Sequence, residues 1–172
     1  MGHFIDMAAV LKPLAEVEEY FARFPEADGV ECVPGLPDRT LVIYGESTGN
    51  FERVSRLSAG LNGVAMALHI HDDDLWLYEL YAAGVLQDCF NTIPDYWQEI
   101  DEEEQRKWQG NAAILAAHWT GLDPASVSRY LVPLADDPPA PGTRAYPDDA
   151  FEYGDCWQVT DFLRRLGTPY PG

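Results

Sequence analysis

The sequence has no long hydrophobic run. Its most apolar stretch, Gly63 to Ile70, falls far short of the roughly 20 residues that a membrane-spanning helix needs. The amino end, Met1-Gly2-His3-Phe4-Ile5-Asp6, lacks a basic region leading into an apolar segment and a small-residue cleavage site, so it does not read as a secretory leader. Asp6 also stands where a myristoylation motif wants Ser or Thr. Cysteine is scarce: Cys32, Cys89 and Cys156 are odd in number, far apart and without a C-x-x-C pair. They read as packing thiols in a reducing, cytoplasmic setting, and no neighbouring bases favour a thiolate. Basic residues are scarce too, 11 against 29 acids, for a net charge of −18. Such a surface repels phosphate backbones and anionic lipid, which argues against a direct nucleic-acid or membrane partner. No phosphate loop, dinucleotide fingerprint, EF-hand, zinc-ribbon spacing or kinase signature occurs, so no cofactor is expected.

Apolar residues are plentiful. At 172 residues, 47% of them hydrophobic and with five Trp and nine Tyr, the chain has enough to bury for one globular domain over 1–172. Phe4 to Val10 reads as a strand, and Pro13 followed by Leu14, Val17, Phe21 and Phe24 as a helix that stops before Pro25. Gly29 to Val33 and Thr40 to Tyr44 look extended, and Phe51, Val54, Leu57 and Leu61 share one helical face. From Val64 the period changes to two. Val64, Met66, Leu68 and Ile70 alternate with Ala65, Ala67, His69 and His71, and the second set marks the less apolar face. With turns at Asp72-Asp73-Asp74 and Ala83-Gly84, this predicts a three-strand meander over about 64–90, with Leu68, Ile70, Leu75, Leu77 and Phe90 buried. Helical spacing is expected from Pro94 through Trp119, again after the Asp123-Pro124 cap, and last from Asp155 to Gly167, with a Pro-rich loop at about 135–150. The fold class expected is α+β: an antiparallel or mixed sheet, helices on one face and a helical carboxy-terminal section packing on the same core.

Four groups of residues invite a chemical reading. Gly45-Glu46-Ser47-Thr48-Gly49 is a G-x-S-x-G between a strand and a helix, the setting in which Ser47 would be a nucleophile. The plainer reading is a glycine turn that caps the next helix, because few strands precede it and no oxyanion loop is visible. His69 and His71 project from one face of a strand and, with Asp72, form a candidate metal site. Their set is incomplete, and His3 and His118 are too remote in sequence to be claimed for it. Asp95, Glu99, Asp101 and Glu104 have charge to spare, whereas Glu102 and Glu103 have Arg106 and Lys107 four residues on. Tyr96 and Trp97 lie beside those acids. Aromatics also gather at Trp76, Tyr78 and Tyr81, and at Tyr146, Phe151, Tyr153 and Trp157.

Together these point to a non-enzymatic acidic binding protein whose partner is a basic protein, with Asp95, Tyr96, Trp97, Glu99, Asp101 and Glu104 as the contact patch. In size and charge the chain is comparable with the small acidic immunity and antitoxin proteins that bacteria pair with toxins or effectors, a likeness that no motif carries. The alternatives are a small hydrolase using Ser47 or a metal at His69 and His71, and a DNA mimic. Oligomeric state is not legible.

Overall fold

The computed structural model describes residues 4–49, 51–72, 75–133, 140, 142–152 and 157–170. Its strands are β1 (Phe4–Val10), β2 (Val30–Pro34), β3 (Thr40–Tyr44), β4 (Val64–His71), β5 (Leu75–Ala82) and β6 (Val85–Asn91). Its helices are α1 (Leu14–Arg23), α2 (Glu52–Gly60), α3 (Glu102–Lys107), α4 (Ala112–His118), α5 (Pro124–Ser128) and α6 (Trp157–Leu166). The strands form one antiparallel sheet in the order β2-β3-β1-β4-β5-β6. The first six elements, β-α-β-β-α-β with the first strand inside the sheet, make the split β-α-β arrangement, and the meander β4-β5-β6 widens it by two strands. Ala83 and Gly84 both take positive φ, 47° and 83°, as a two-residue hairpin between twisted strands requires.

The sheet is covered on both faces, and each face has its own core. Met7, Ala9, Leu41, Met66, Leu68, Ile70, Trp76, Tyr78 and Phe90 pack under α4, α5 and α6 through Leu115, Val127, Phe162 and Leu163. Aromatic rings dominate here: Tyr78 stacks on Phe162 at 5.7 Å, and Trp76 meets Phe90 at 4.9 Å. Such pairs add about 0.5–1.5 kcal/mol each beyond the area they bury. Polar handles are satisfied: Trp76 Nε1 donates to Gln158 Oε1 at 3.1 Å, and Trp119 Nε1 to Leu166 O at 3.0 Å. The opposite face packs Ala8, Val10, Val42, Ala65 and Ala67 against Val17 and Phe21 of α1 and Val54 and Leu57 of α2. The carboxy-terminal helices thus build a second core instead of sharing the first.

The meander is present over Val64–Asn91, and Leu68, Ile70, Leu75, Leu77 and Phe90 are all buried. The face carrying Ala65, Ala67 and His69, the less apolar one by sequence, is buried as well, because alanines leave room for α1 and α2 to approach. One expectation needs correction. The stretch from Pro94 to Trp119 is not one helical run: residues 94–98 are turns and bends, 99 and 100 have no regular structure, and α3 and α4 are short. The breaks are local. Asp101 caps α3 by accepting from Glu104 N at 2.9 Å, Gly110 turns at φ 69°, and Asn111 caps α4 through Ala113 N and Ile114 N. Asp73, Asp74, Tyr153, the Asp155 cap and Cys156 lie outside the described residues, as do 134–139 of the Pro-rich loop. What is described of that loop is fastened by Asp148, which pairs with Arg129 at 2.7 Å and Arg165 at 2.6 Å.

Candidate functional site

The site begins with strand register. Asp6 of β1 lies directly opposite His69 of β4, on the face that α2 covers. Both are buried, and their side chains meet: Asp6 Oδ1 is 2.5 Å from His69 Nδ1 and accepts from Ser47 Oγ at 3.2 Å. The other oxygen, Oδ2, accepts from Thr48 N and Gly49 N, both at 2.9 Å, and from Arg53 Nη2 at 2.6 Å. Arg53 comes from the first turn of α2, donates also to Glu46 O at 2.9 Å, pairs with Asp28 at 3.4 Å, and lies 3.7 Å above the Tyr44 ring. Burial alone would raise the Asp6 pKa. The hydrogen bonds from His69 and Thr48 N–H, with the charges of His69 and Arg53, outweigh it and hold the carboxyl below its ordinary 3.8.

This arrangement explains the G-x-S-x-G. The loop wraps the Asp6 carboxylate, and Gly49, at φ 64°, lets successive amides point at one oxygen. A Cβ on Gly45 would stand 2.1 Å from Asp28 O, so the loop can approach only as glycine. A nucleophile elbow would leave such amides free for an oxyanion and would put the serine on the imidazole nitrogen away from the acid. Here the amides are occupied by Asp6. Ser47 Oγ sits 3.5 Å from Nδ1, the same nitrogen that faces Asp6, so this geometry does not make His69 the base for Ser47.

His69 Nε2 has no partner among the described residues, and the ring, 7% exposed, lines a cleft of about 480 Å³. Because Asp6 is held as an acceptor-only carboxylate, His69 donates to it from Nδ1, and Nε2 is the ring nitrogen that Asp6 does not use. Ser47, Thr48 and Gly49 form one rim; Glu79, Phe4, His71, Trp97 and Trp108 line the remainder. His71 is the hub of an aromatic cluster, 4.8 Å from Phe4, 5.6 Å from Tyr96 and 5.3 Å from Trp97 between ring centroids. Three of its members are open to solvent: Phe4 is 51% exposed, Trp97 56% and Tyr96 38%. His69 and His71 are 5.6 Å apart by centroid, but Nδ1 of His69 is given to Asp6. Among the described residues no group of three His, Cys, Asp or Glu is disposed to hold a metal ion.

The acidic patch is partly as the sequence reading has it. Asp95, Glu99 and Asp101 are exposed, and Trp97 shares a second hollow, about 300 Å³, with Ile100 and Glu104. Glu102 pairs with Arg106 at 3.1 Å, but Lys107 reaches Glu104, at 2.6 Å, instead of Glu103. Glu104 is therefore not a spare charge. Cys32 and Cys89 are free thiols whose pKa values are both pushed up to about 11, first by burial and then by nearby acids, which fits packing roles. No helix among the described residues is long and apolar enough to cross a membrane.

Asp6, Asp28, Tyr44, Phe4 and Arg53 were not singled out by the sequence reading. One signal was there: Asp6 interrupts an otherwise apolar strand, and an acid in that position needs partners. Comparison with protein-family models, with curated proteins and with solved structures finds no match at any of the three levels.

Proposed function

We propose that the chain is a non-enzymatic acidic binding protein, with a basic protein as its partner, in the manner of an immunity or antitoxin protein of the bacterial cytoplasm. One observation carries the reading: Trp97 and Tyr96 stand exposed beside Asp95, Glu99 and Asp101, in ring contact with His71. Large aromatics are normally spent on the core, and this protein has fully buried Trp119, Tyr78, Tyr130 and Phe162 to show for it. An aromatic anchor inside an acidic rim is the arrangement in which burial gives affinity and charge speeds encounter. The test uses the basic proteins encoded beside its gene: each is produced with this chain, and complex formation is measured with wild type and with Trp97→Ala. A complex that Trp97→Ala weakens at least roughly tenfold, the cost of losing an anchor, supports the reading. A complex indifferent to Trp97 removes this patch from it.

A second reading, a small hydrolase, draws on the Asp6–His69 pair with Nε2 facing a cleft. An imidazole so oriented is a competent base toward a bound water. Turnover of activated esters that is lost in His69→Gln and kept in Ser47→Ala would favour it over the binding reading.

A further inference from the structure

We propose that the cleft beneath Trp97 seats a tyrosine side chain of the partner, ring at the mouth and hydroxyl on His69, an inference that rests on the binding reading above. The floor holds a polar atom that needs a mate. His69 is more than nine-tenths buried, its Nδ1 is taken by Asp6, and its Nε2 has no partner among the described residues. That nitrogen is not one of the sealed atoms without a partner, which are Arg39 Nε, Tyr44 Oη, Arg129 Nε and Arg165 Nε, so it opens onto the cleft that the ring lines. An apolar group closing the cleft would strand it, at the cost of a desolvated polar atom. The occupant must therefore bring a polar atom to this depth. A hydroxyl does so whichever way the ring is protonated, because it donates to a bare nitrogen and accepts from an N–H. A guanidinium or ammonium would need the nitrogen bare, and a carboxylate would need it protonated.

The mouth selects what carries the hydroxyl. Phe4, His71 and Trp97 line it and meet at steep angles: Phe4 and His71 at 85° and 4.8 Å, His71 and Trp97 at 80° and 5.3 Å between ring centroids. Rings so set form corners. A further aromatic ring entering a corner lies offset over one neighbour and edge-on to the next, the two arrangements in which aromatic pairs attract. Phe51, Leu77 and Trp108 add apolar lining, and the volume, about 480 Å³, lies within the roughly 300–1,000 Å³ of sites that hold one small ligand. His71 follows His69 by two positions on β4, with ring centroids 5.6 Å apart, so a ring beside His71 carries a para hydroxyl toward His69. Serine would leave the corner empty, and phenylalanine would leave Nε2 unpaired. Tyrosine answers both, and it is among the side chains that most often anchor protein interfaces.

The probe is N-acetyl-tyrosine amide, titrated into the intact wild-type protein while the Trp97 indole and His69 ring nitrogens are followed by NMR. Saturable shifts of both, with a dissociation constant on the order of millimolar, are expected for one side chain without its partner. N-acetyl-phenylalanine amide, which keeps the ring and drops the hydroxyl, should bind at least roughly tenfold more weakly, because it strands Nε2. N-acetyl-serine amide, a hydroxyl without a ring, should give no saturable shift. Equal binding of phenylalanine, saturation by serine, or no saturation by tyrosine would each overturn the assignment. Competition separates a tyrosine of the partner from a free phenol: the tyrosine probe at ten times its dissociation constant should weaken the basic partner's apparent affinity about tenfold. A partner indifferent to the filled cleft would overturn the assignment to the partner. If a basic partner needs Trp97 but the tyrosine probe does not bind, the cleft inference fails alone. If the probe binds and no basic partner does, the binding reading fails, and with it the assignment of the tyrosine to a partner.

Discussion

Under α4, α5 and α6 the sheet presents Met66, Leu68, Ile70, Trp76 and Tyr78, whereas under α1 and α2 the same strands present Ala65, Ala67 and then His69 and Glu79. One face is filled with large rings and closes over them; the other is filled with small residues and gives its far end to charges. The difference has a physical cause. Two helices can cover only part of a six-stranded sheet, and α2 reaches β4 at its alanines, where side chains leave room for close approach. At the amino-terminal end of α2 the polar residues of β1, β4 and β5 need partners: Arg53 and the 45–49 loop satisfy Asp6, Asp6 holds His69, and the Tyr81 hydroxyl donates to Glu79. The apolar face makes the protein stable. The mixed face makes a cleft.

Deletions on the two faces should cost similar amounts for different reasons. Phe162→Ala is expected to lose about 3–5 kcal/mol through its cavity, and Arg53→Met about 3–5 kcal/mol by leaving a buried carboxylate uncompensated, both read from urea unfolding. A second change separates them. Adding Asp6→Asn to Arg53→Met should restore a good part of the loss, since the stranded charge is gone, whereas Tyr78→Phe added to Phe162→Ala should not. Additive losses on the mixed face would contradict the pairing described for Asp6.

The mixed face should also carry an acid sensitivity of its own, separate from that of the Asp148 pairs with Arg129 and Arg165 beside α5 and α6. The Asp6 carboxyl is held below 3.8, so the folded chain keeps this charge more firmly than the unfolded chain does. That contribution is complete above the unfolded pKa, about 3.9, and fades as pH falls through the folded value. Wild type should therefore lose urea resistance more steeply than Asp6→Asn in that range. Parallel pH profiles would show that Asp6 is not preferentially ionised in the fold.

Ser47→Ala is the smallest of these tests. It removes one hydrogen bond to Asp6, which keeps its other donors, so a loss of about 0.5–1.5 kcal/mol is expected with no loss of partner binding. A large functional loss would return Ser47 to the role that its G-x-S-x-G surroundings suggest.

Strands were legible as short apolar runs at β1 and β3, which follow Phe4–Val10 and Thr40–Tyr44, and by the change to a period of two in the meander, which follows Val64–Asn91 with little shift. The stretch after Pro94 was not, because spaced apolar residues on two short capped helices look like one long helix until Gly110 and Asn111 are seen to break it. Trp97 was visible as an aromatic beside acids, but its exposure depends on the turns at 94–98, which no periodicity encodes. The Asp6–Arg53–His69 cluster joins residues about 63 positions apart through strand register and a helix start. Sequence shows each residue, and only the sheet order brings them together.

The central claim, an acidic rim around an aromatic anchor for a basic partner, is tested most directly by association kinetics of the combined variant Asp95→Asn, Glu99→Gln, Asp101→Asn and Glu104→Gln. Asn at 101 preserves the α3 cap, so the fold is kept. The account predicts slower association and a flatter dependence on salt, with a smaller change in dissociation, because rim charges steer encounter more than they hold the complex. Association with the basic partner at an unchanged rate and salt dependence would contradict it.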